Sequence, residues 1–396
     1  MKKVVALIGI LIVFRVFISF LGYLEFKSHK VLKINAKVVN QYKKKNYWVL
    51  KLKTTSLSFY TTSKDNLKNL LNDNVKLDII TLKVSFFDYL FTFYAPSFNL
   101  KLLPLSKIQI FIAFQHKDEK LSNLFRALFL GESMDYKTKE ELSTLGISHL
   151  LALSGLHLGF ISMFLYFVLL PVYKIFHSKF PYRNRFFDLG VVVLAVEFLY
   201  LYFTSFPPSL VRAFVLEVVV FLYMMYLKKP FSLEVLLMVI VISFIVFGFK
   251  VFSLGYFLSI LGVFYIYLFF NHFRFGFLSS VLLSFYMFLV MFVISHTFFC
   301  NFNMYQLFSP FVNIAFSLFY PLEVLLHFIG FGGVFDNVIK SYLLLGDKFV
   351  CVKFPLIFGV LFILVSFWAF FSKRVFFGIN LISLISIFYA IGESIG

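Results

Sequence analysis

The chain is 396 residues long, 61% hydrophobic, 21% aromatic and only 14% charged, with a formal net charge of +18. No water-soluble core of this length absorbs that much apolar surface, so the composition excludes a soluble globular protein and defines an integral membrane protein with many spans of about 20 apolar residues. The charge is a weak guide to a partner: only seven of the 37 basic residues are Arg and 61 residues are Phe, a joint Lys and Phe excess that AT-rich coding produces without selection for binding.

Met1-Lys2-Lys3 precedes an apolar run from Val4 to Leu24 that is too long for a cleaved signal segment and has no small-residue cleavage site. Residues 1–25 therefore read as a retained first span. The two lysines hold its N-terminus in the cytoplasm and send the next segment outside. Arg15, inside this span, would face other helices.

Residues 26–104 change character, alternating apolar and polar residues in short runs around Val31, Tyr47, Leu57 and Val75, which are strand signals. A helical piece, Asp65 to Leu71, separates the third run from the fourth. Three strands, a helix and further strands predict a small five-stranded barrel of the OB type, here periplasmic. The segment holds fourteen Lys against four Asp, with Tyr42, Tyr47, Trp48, Phe59 and Tyr60 interleaved. Lysines beside aromatics suit single-stranded nucleic acid, whose phosphates are neutralised and whose bases stack. That makes Lys43, Lys44, Lys45, Trp48, Lys51 and Lys53 candidate DNA-binding residues. A solvated barrel with aromatics in its core would give the same composition.

Residues 105–145 hold an apolar piece, Ser106 to Phe114, a charged run, Gln115 to Lys120, and an amphipathic piece, Leu121 to Leu130, that ends at Gly131. Arg126 lies on its polar side, as in an interfacial helix.

The core, residues 146–330, opens on Gly146-Ile147-Ser148-His149-Leu150-Leu151-Ala152-Leu153-Ser154-Gly155-Leu156-His157. Burying an imidazole or hydroxyl without a partner costs several kcal/mol, so such residues at the start of a span face protein or a wet cavity. Packing is the alternative, since Ser154-Gly155 lets helices approach closely. With this second span, others at about 187–203, 209–227, 232–249, 252–270, 276–299, 307–329, 354–372 and 375–392 bring the total to about ten, the last two in a C-terminal region, 331–396. Lys174, Lys179, Arg183, Arg185, Lys228, Lys229 and Arg274 fall in cytoplasmic loops, as the positive-inside rule requires. Lys373-Arg374 would lie outside, unless Val334 to Leu345 crosses or re-enters, or the last hairpin is shallow. The two cysteines, Cys300 and Cys351, stand far apart in sequence without metal-ligand spacing, and imply neither a zinc site nor a disulfide framework.

Few ionisable residues lie inside the spans. Glu197 and Arg212 fall roughly 14 and 9 Å below a shared turn on antiparallel helices, within reach of each other, with Glu217 as a competitor. A paired Arg and Glu in a bundle marks a substrate path or a structural lock. Pro310, Asn313 and Pro321 read as a broken helix with a buried Asn, a device that exposes backbone to a cavity.

The string Gly146 to His157 resembles the signature of the ComEC competence family. The other motifs fall in that family's order. Leu130-Gly131-Glu132 is similar to the turn before the signature, and Pro208-Ser209 with Arg212-Ala213 to the second motif. Phe252 to Ser259 is similar to the third, and Pro310 with Asn313 and Pro321 to the fourth. The resemblance covers roughly 105–330, and the family's usual N-terminal OB-like domain fits 26–104. Phe257 stands where the pattern has Gln. There is no His-x-His-x-Asp-His string, so a short form without the metallo-β-lactamase-like domain of longer members is expected.

The resemblance implies a multi-pass protein of the bacterial inner membrane that passes single-stranded DNA into the cytoplasm during natural transformation. Ser148, His149, Ser154, Gly155, His157, Glu197, Arg212 and Asn313 are the candidate path residues. No catalytic residue, metal or cofactor is expected. The expected partners are single-stranded DNA, the bilayer, a periplasmic DNA receptor and a cytoplasmic motor or single-strand-binding protein, with homo-oligomerisation left open. No Gly-x-x-x-x-Gly-Lys-Ser/Thr string exists, so the chain cannot itself drive transport with ATP. The alternatives are an intramembrane serine hydrolase, with Ser154 as nucleophile and His149 or His157 as base, and a small-solute transporter built on inverted repeats.

Overall fold

The computed structural model describes residues 2–44, 46–54, 57–63, 69–151, 155–177, 180, 182–204, 206–226, 233–251 and 253–395. A long first helix, α1 (Lys2–Ser28), leads directly into the β domain. Arg15 on α1 packs against the backbone of Gly248, where an added Cβ would lie 2.9 Å from its Nε.

The β domain contains β1 (Val31–Lys44), β2 (Tyr47–Lys53), β3 (Ser58–Ser63), β4 (Asn74–Ile80), a short helix α2 (Phe86–Leu90), β5 (Thr92–Tyr94) and β6 (Ser97–Leu102). Alternation fixes its inner face: Val38, Leu50, Leu52, Phe59, Val75 and Ile79 are fully buried, while Lys37, Lys51 and Lys53 point the other way, as a period of two requires. The sheet order is β5-β3-β2-β1-β4-β6, with β1 paired to both β2 and β4 and β3 paired in parallel to β5. The expected closed barrel is not formed, because β5 and β6 occupy opposite edges and the sheet stays open. The strand count is six rather than five. Of the helix expected over Asp65 to Leu71, residues 69–71 are not helical and residues 65–68 lie outside the described residues. The domain's helix is instead α2, started by a Ser85–Asp88 capping box.

Next come α3 (Lys107–Ala113), α4 (Glu119–Leu130), α5 (Tyr136–Thr144) and α6 (Ser148–Leu151). The amphipathic piece ends at Gly131 as expected. The bundle follows as α7 (Gly155–His177), α8 (Arg185–Phe203), α9 (Pro208–Tyr226), α10 (Leu233–Phe247), α11 (Leu254–His272) and α12 (Phe277–Phe298). After a short strand, β7 (Asn301–Phe302), come α13 (Ser309–Phe328), α14 (Asp336–Leu344), β8 (Val350–Cys351), α15 (Leu356–Trp368) and α16 (Lys373–Ile395). Among the described residues, seven helices are long and apolar enough to cross a membrane, and Leu233–Val246 and Leu356–Trp368 are shorter apolar helices. Seven of the ten expected spans meet this measure among the described residues. At 13 residues, α15 extends only about 20 Å against a hydrocarbon core of about 30 Å.

The region after residue 330 corrects the expected connectivity. At nine residues, α14 is too short to cross, at about 14 Å. The chain then returns to where α12 ended: β8 pairs antiparallel with β7, and Asn303 Nδ2 donates to the carbonyls of Leu345 (3.1 Å) and Lys348 (2.6 Å). Hence α13 and α14 form an excursion that leaves and regains one end of the bundle. The linker between α15 and α16 falls at the opposite end, where His272 Nε2 lies 2.7 Å from the Ala369 carbonyl and Asn271 Nδ2 donates to Phe370 at 2.9 Å. Lys373 and Arg374 thereby share an end with Arg274, and the exception to the charge rule disappears. The same strand pairing sets Cys351 opposite Asn301, so that Cys300 and Cys351, 51 positions apart in sequence, fall at diagonal positions of one ladder.

Candidate functional site

The β domain docks on the helices through one buried carboxylate. Glu132, just past the end of α4, lies 2.8 Å from Lys37 Nζ on β1 and 2.7 Å from Arg126 Nη2 on α4, and accepts from Gln109 Nε2 on α3 at 2.5 Å. Beside it, Asn72 and Ser133 bond reciprocally, with the Ser133 amide donating to Asn72 Oδ1 at 2.7 Å. Two cations and an amide on a carboxylate that is 1% exposed match the requirement that a buried charge be paired.

Above this joint the outer face of the sheet is basic. Lys51 Nζ lies 5.4 Å from the centre of the Tyr60 ring, its cross-strand partner, and Lys43 lies 6.0 Å from that of Trp48. Burial holds the Lys53 ammonium below its usual pKa, and the charges of Lys37 and Lys51 lower it further. Lys139 on α5 is also lowered by burial, Asp135 opposing and Lys51 adding to the effect. Lys37 and Lys51 thus act on the charge of Lys53, and Lys51 acts also on that of Lys139 on α5, which makes these four lysines one electrostatic group. Of the lysines named from sequence, Lys51 and Lys53 join this cluster, Lys43 and Lys44 end β1, and Lys45 lies outside the described residues. Lys37 and Lys139 were not among the candidates, because only strand pairing and docking bring them in.

Helix α5 runs directly into the motif. Gly146 turns the chain at a φ of +72°, and a Cβ there would lie 2.7 Å from Gln306 Cγ. This combination of left-handed backbone and close approach is met without strain only by glycine. Ser148 and His149 on α6 are exposed, and His149 Nε2 donates to Asn313 Oδ1 at 2.9 Å. Two candidates 164 positions apart therefore meet. His157 is buried instead, its ring edge-on to Tyr320 at 4.5 Å and near Phe316. Gly155 is exposed, and an added Cβ there would meet Ala213 at 3.6 Å, an ordinary contact. Close helix approach therefore does not explain the glycine. Ser154, on which the hydrolase alternative depends, lies outside the described residues.

Glu197 and Arg212 do not form the expected pair among the described contacts. Ser162 Oγ on α7 lies 2.5 Å from Glu197 Oε1 and 2.6 Å from Glu217 Oε1, joining α7, α8 and α9. Arg212 sits 5.3 Å from the centre of the Tyr256 ring, a cation–π contact. Ser162, on a third helix, was not among the candidates, and Arg212 turns toward α11. Phe257 is exposed beside Phe298, with centroids 6.2 Å apart.

A second polar cluster had no counterpart in the sequence reading. At the α3–α4 turn, His116 Nδ1 lies 2.8 Å from Asp336 Oδ1 on α14, and its Nε2 lies 3.1 Å from Nε2 of His327 at the end of α13. His327 Nδ1 donates to the Glu323 carbonyl at 2.9 Å, and Phe125 stacks on His116 with centroids 4.4 Å apart. The turn after α13 closes on this cluster so tightly that a Cβ on Gly332 would fall 2.5 Å from the His327 ring. Outside it, Lys340 donates to Asp118 at 2.8 Å, a contact that holds the Asp118 carboxyl below its usual pKa. Among the described residues, no group of three or more His, Cys, Asp or Glu is placed to hold a metal ion.

These features define a class: a multi-pass membrane protein whose helical bundle carries, at one end, a docked basic β domain and a polar motif. The chain belongs to the Competence protein family, whose family model, described as Competence protein, matches residues 128–391. That span takes in every motif from Leu130 to Pro321 and leaves the β domain outside it. Membership supports a role in DNA uptake during competence. No curated protein and no solved structure matches the chain.

Proposed function

We propose that the chain is a channel of the bacterial inner membrane that passes single-stranded DNA into the cytoplasm, with the β-domain end of the bundle facing outward. The observation that carries this reading is continuity: the cluster of Lys37, Lys51, Lys53 and Lys139 beside Tyr60 adjoins α5, and α5 delivers the chain to the exposed His149–Asn313 pair. Phosphates want cations, bases want aromatic faces, and a strand entering a bundle wants hydrogen-bond donors at the mouth. The strand connectivity, β1 bonded to β2 and β4 with β3 parallel to β5, supports an OB-like reading of the domain despite the open sheet. The orientation is supported by Arg274, Lys373 and Arg374 gathering at the opposite end. With no ATP-binding string, a cytoplasmic motor or single-strand-binding protein pulls and a periplasmic receptor delivers. The protein acts by conduction rather than by catalysis.

The test is a deletion strain complemented with wild type, His149→Ala, Asn313→Ala or the double variant. DNA reaching the periplasm and DNA reaching the cytoplasm are scored separately at matched protein levels. Periplasmic DNA is expected to persist throughout. Cytoplasmic DNA should fall about fivefold for each single variant, the worth of one hydrogen bond of about 1 kcal/mol, with the double variant no worse than either single because the two residues act as a unit. Normal cytoplasmic delivery in the double variant would remove the pair from the path.

A further inference from the structure

We propose that α2 is a foot of the β domain, with Phe87 and Phe91 seated among the lipid acyl chains of the leaflet on the β-domain side, beside α1. In the connection from β4 to β5, Leu82 is 53% exposed, Phe87 76% and Phe91 49%. A domain surrounded by water alone gains by turning such side chains inward, and an exposed apolar patch marks a surface that meets something else. Phe87 and Phe91 stand four positions apart and so share one face of the turn. The rest of α2 is already used: Leu90 is buried, and the Tyr89 ring lies 5.3 Å from that of Phe26.

What covers the open face follows from where α2 is held. Helix α1 contains a candidate span of 20 residues, Gly9–Ser28, which is about 30 Å long, the thickness of a hydrocarbon core. The Phe86 ring meets Phe20 of that span edge-on at 5.4 Å and Tyr23 at 5.5 Å. Phe20 is eight residues short of Ser28, so α2 touches the span about 12 Å inside its end. One turn nearer that end come residues suited to the bilayer surface. The Tyr23 hydroxyl donates to the Val84 carbonyl at 3.2 Å, and Lys27 Nζ donates to the same carbonyl at 3.3 Å. A tyrosine at headgroup level with a lysine reaching outward from the helix is an interfacial pattern.

The open side of α1 continues the patch, since Phe17, Leu21 and Leu24 are exposed there. Phe87 therefore extends a surface that lipid covers wherever α1 crosses. Asp88 suits the same level. Its carboxylate is exposed and accepts from the Ser85 amide at 3.2 Å and from Ser85 Oγ at 2.6 Å, so the charge stays with the headgroups while the neighbouring ring enters. Because α2 runs into β5, an edge strand, the foot sets one edge of the sheet at the membrane. The inference rests on α1 crossing the bilayer and stands or falls independently of what the bundle conducts.

The test places the full chain in nanodiscs whose phosphatidylcholine carries bromine on its acyl chains, which quenches tryptophan on contact. The two native tryptophans, Trp48 and Trp368, are changed to Phe and Phe87→Trp is added. Its fluorescence should fall about twofold against unbrominated lipid, and further with bromine near the headgroup than near the chain end, as for a ring about 5–10 Å into the leaflet. The chain with Trp368→Phe alone keeps Trp48, which stands opposite Lys43 near the tip of the β1–β2 hairpin, and should lose nothing. A second measurement needs no substitution: photolysis of wild type with a lipid that carries a diazirine in its acyl chain should leave adducts on residues 86–91 and none on the hairpin. If Phe87→Trp fails to insert, the adducts decide alone. An inserted Phe87→Trp that bromine does not quench overturns the foot, as does wild type without adducts on residues 86–91. Cross-linking of those residues to a second copy of the chain in place of lipid overturns it as well.

Discussion

Proton counting at His116 and His327 limits what that pair can be. Nδ1 of each ring faces an acceptor, Asp336 Oδ1 in one case and the Glu323 carbonyl in the other, so both Nδ1 atoms carry hydrogen. The two Nε2 atoms face each other at 3.1 Å, and only one of them can donate. His116→Phe keeps a ring against Phe125 but removes both nitrogens, leaving Asp336 Oδ1 and His327 Nε2 without this partner, at a cost of about 1–3 kcal/mol. Thermal unfolding of the detergent-solubilised chain at one fixed pH should therefore show a lower Tm for His116→Phe than for wild type. An unchanged Tm would mean that the two rings only stack.

At the scale of elements, the motif is a hinge between α5 and α6 rather than a close helix contact. Gly146→Ala forces a left-handed residue, costing about 1–2 kcal/mol, and drives a methyl into Gln306. Gly155→Ala adds a methyl at ordinary distance from Ala213. Membrane-inserted yield and Tm should therefore drop for Gly146→Ala and hold for Gly155→Ala; the reverse order would restore the packing reading of Ser154-Gly155. The helices of the bundle and the strands of the β domain were legible, because apolar length and period-two alternation are local properties. What joins them was not. Alternation says which face of a strand is buried but not which edges meet, so closure was expected and an open sheet is found. In composition α13 looks like a span, and only its contacts with the α3–α4 turn and the β7–β8 ladder show the chain coming back. The pairings of His149 with Asn313 and of His116 with His327 span 164 and 211 positions, beyond any spacing rule.

The whole molecule depends on how the β domain is held over the bundle, and Glu132 holds it together with the Asn72–Ser133 bonds. Removing a buried carboxylate that faces Lys37 and Arg126 leaves cations in a site built for an anion, a change that costs about 3–5 kcal/mol. Glu132→Ala should therefore loosen the domain and open the segment between β6 and α4 to protease while the bundle stays folded. The lysine cluster would then lose its alignment, since Lys37, Lys51 and Lys53 sit on the sheet and Lys139 sits on α5. Binding of labelled single-stranded DNA to the full chain in nanodiscs, titrated with salt, reads this directly. Each lysine that neutralises a phosphate contributes about 0.7 to the slope of log affinity against log salt. Lys51→Ala, Lys53→Ala and Lys139→Ala should each flatten the slope by about that amount, whereas Lys101→Ala, on the far edge strand, should leave it unchanged. Glu132→Ala should remove the Lys139 share without touching any phosphate ligand, so that adding Lys139→Ala to it changes nothing further. Equal loss from Lys101→Ala and Lys51→Ala would mean that the chain attracts DNA by net charge alone and that the docked domain guides nothing.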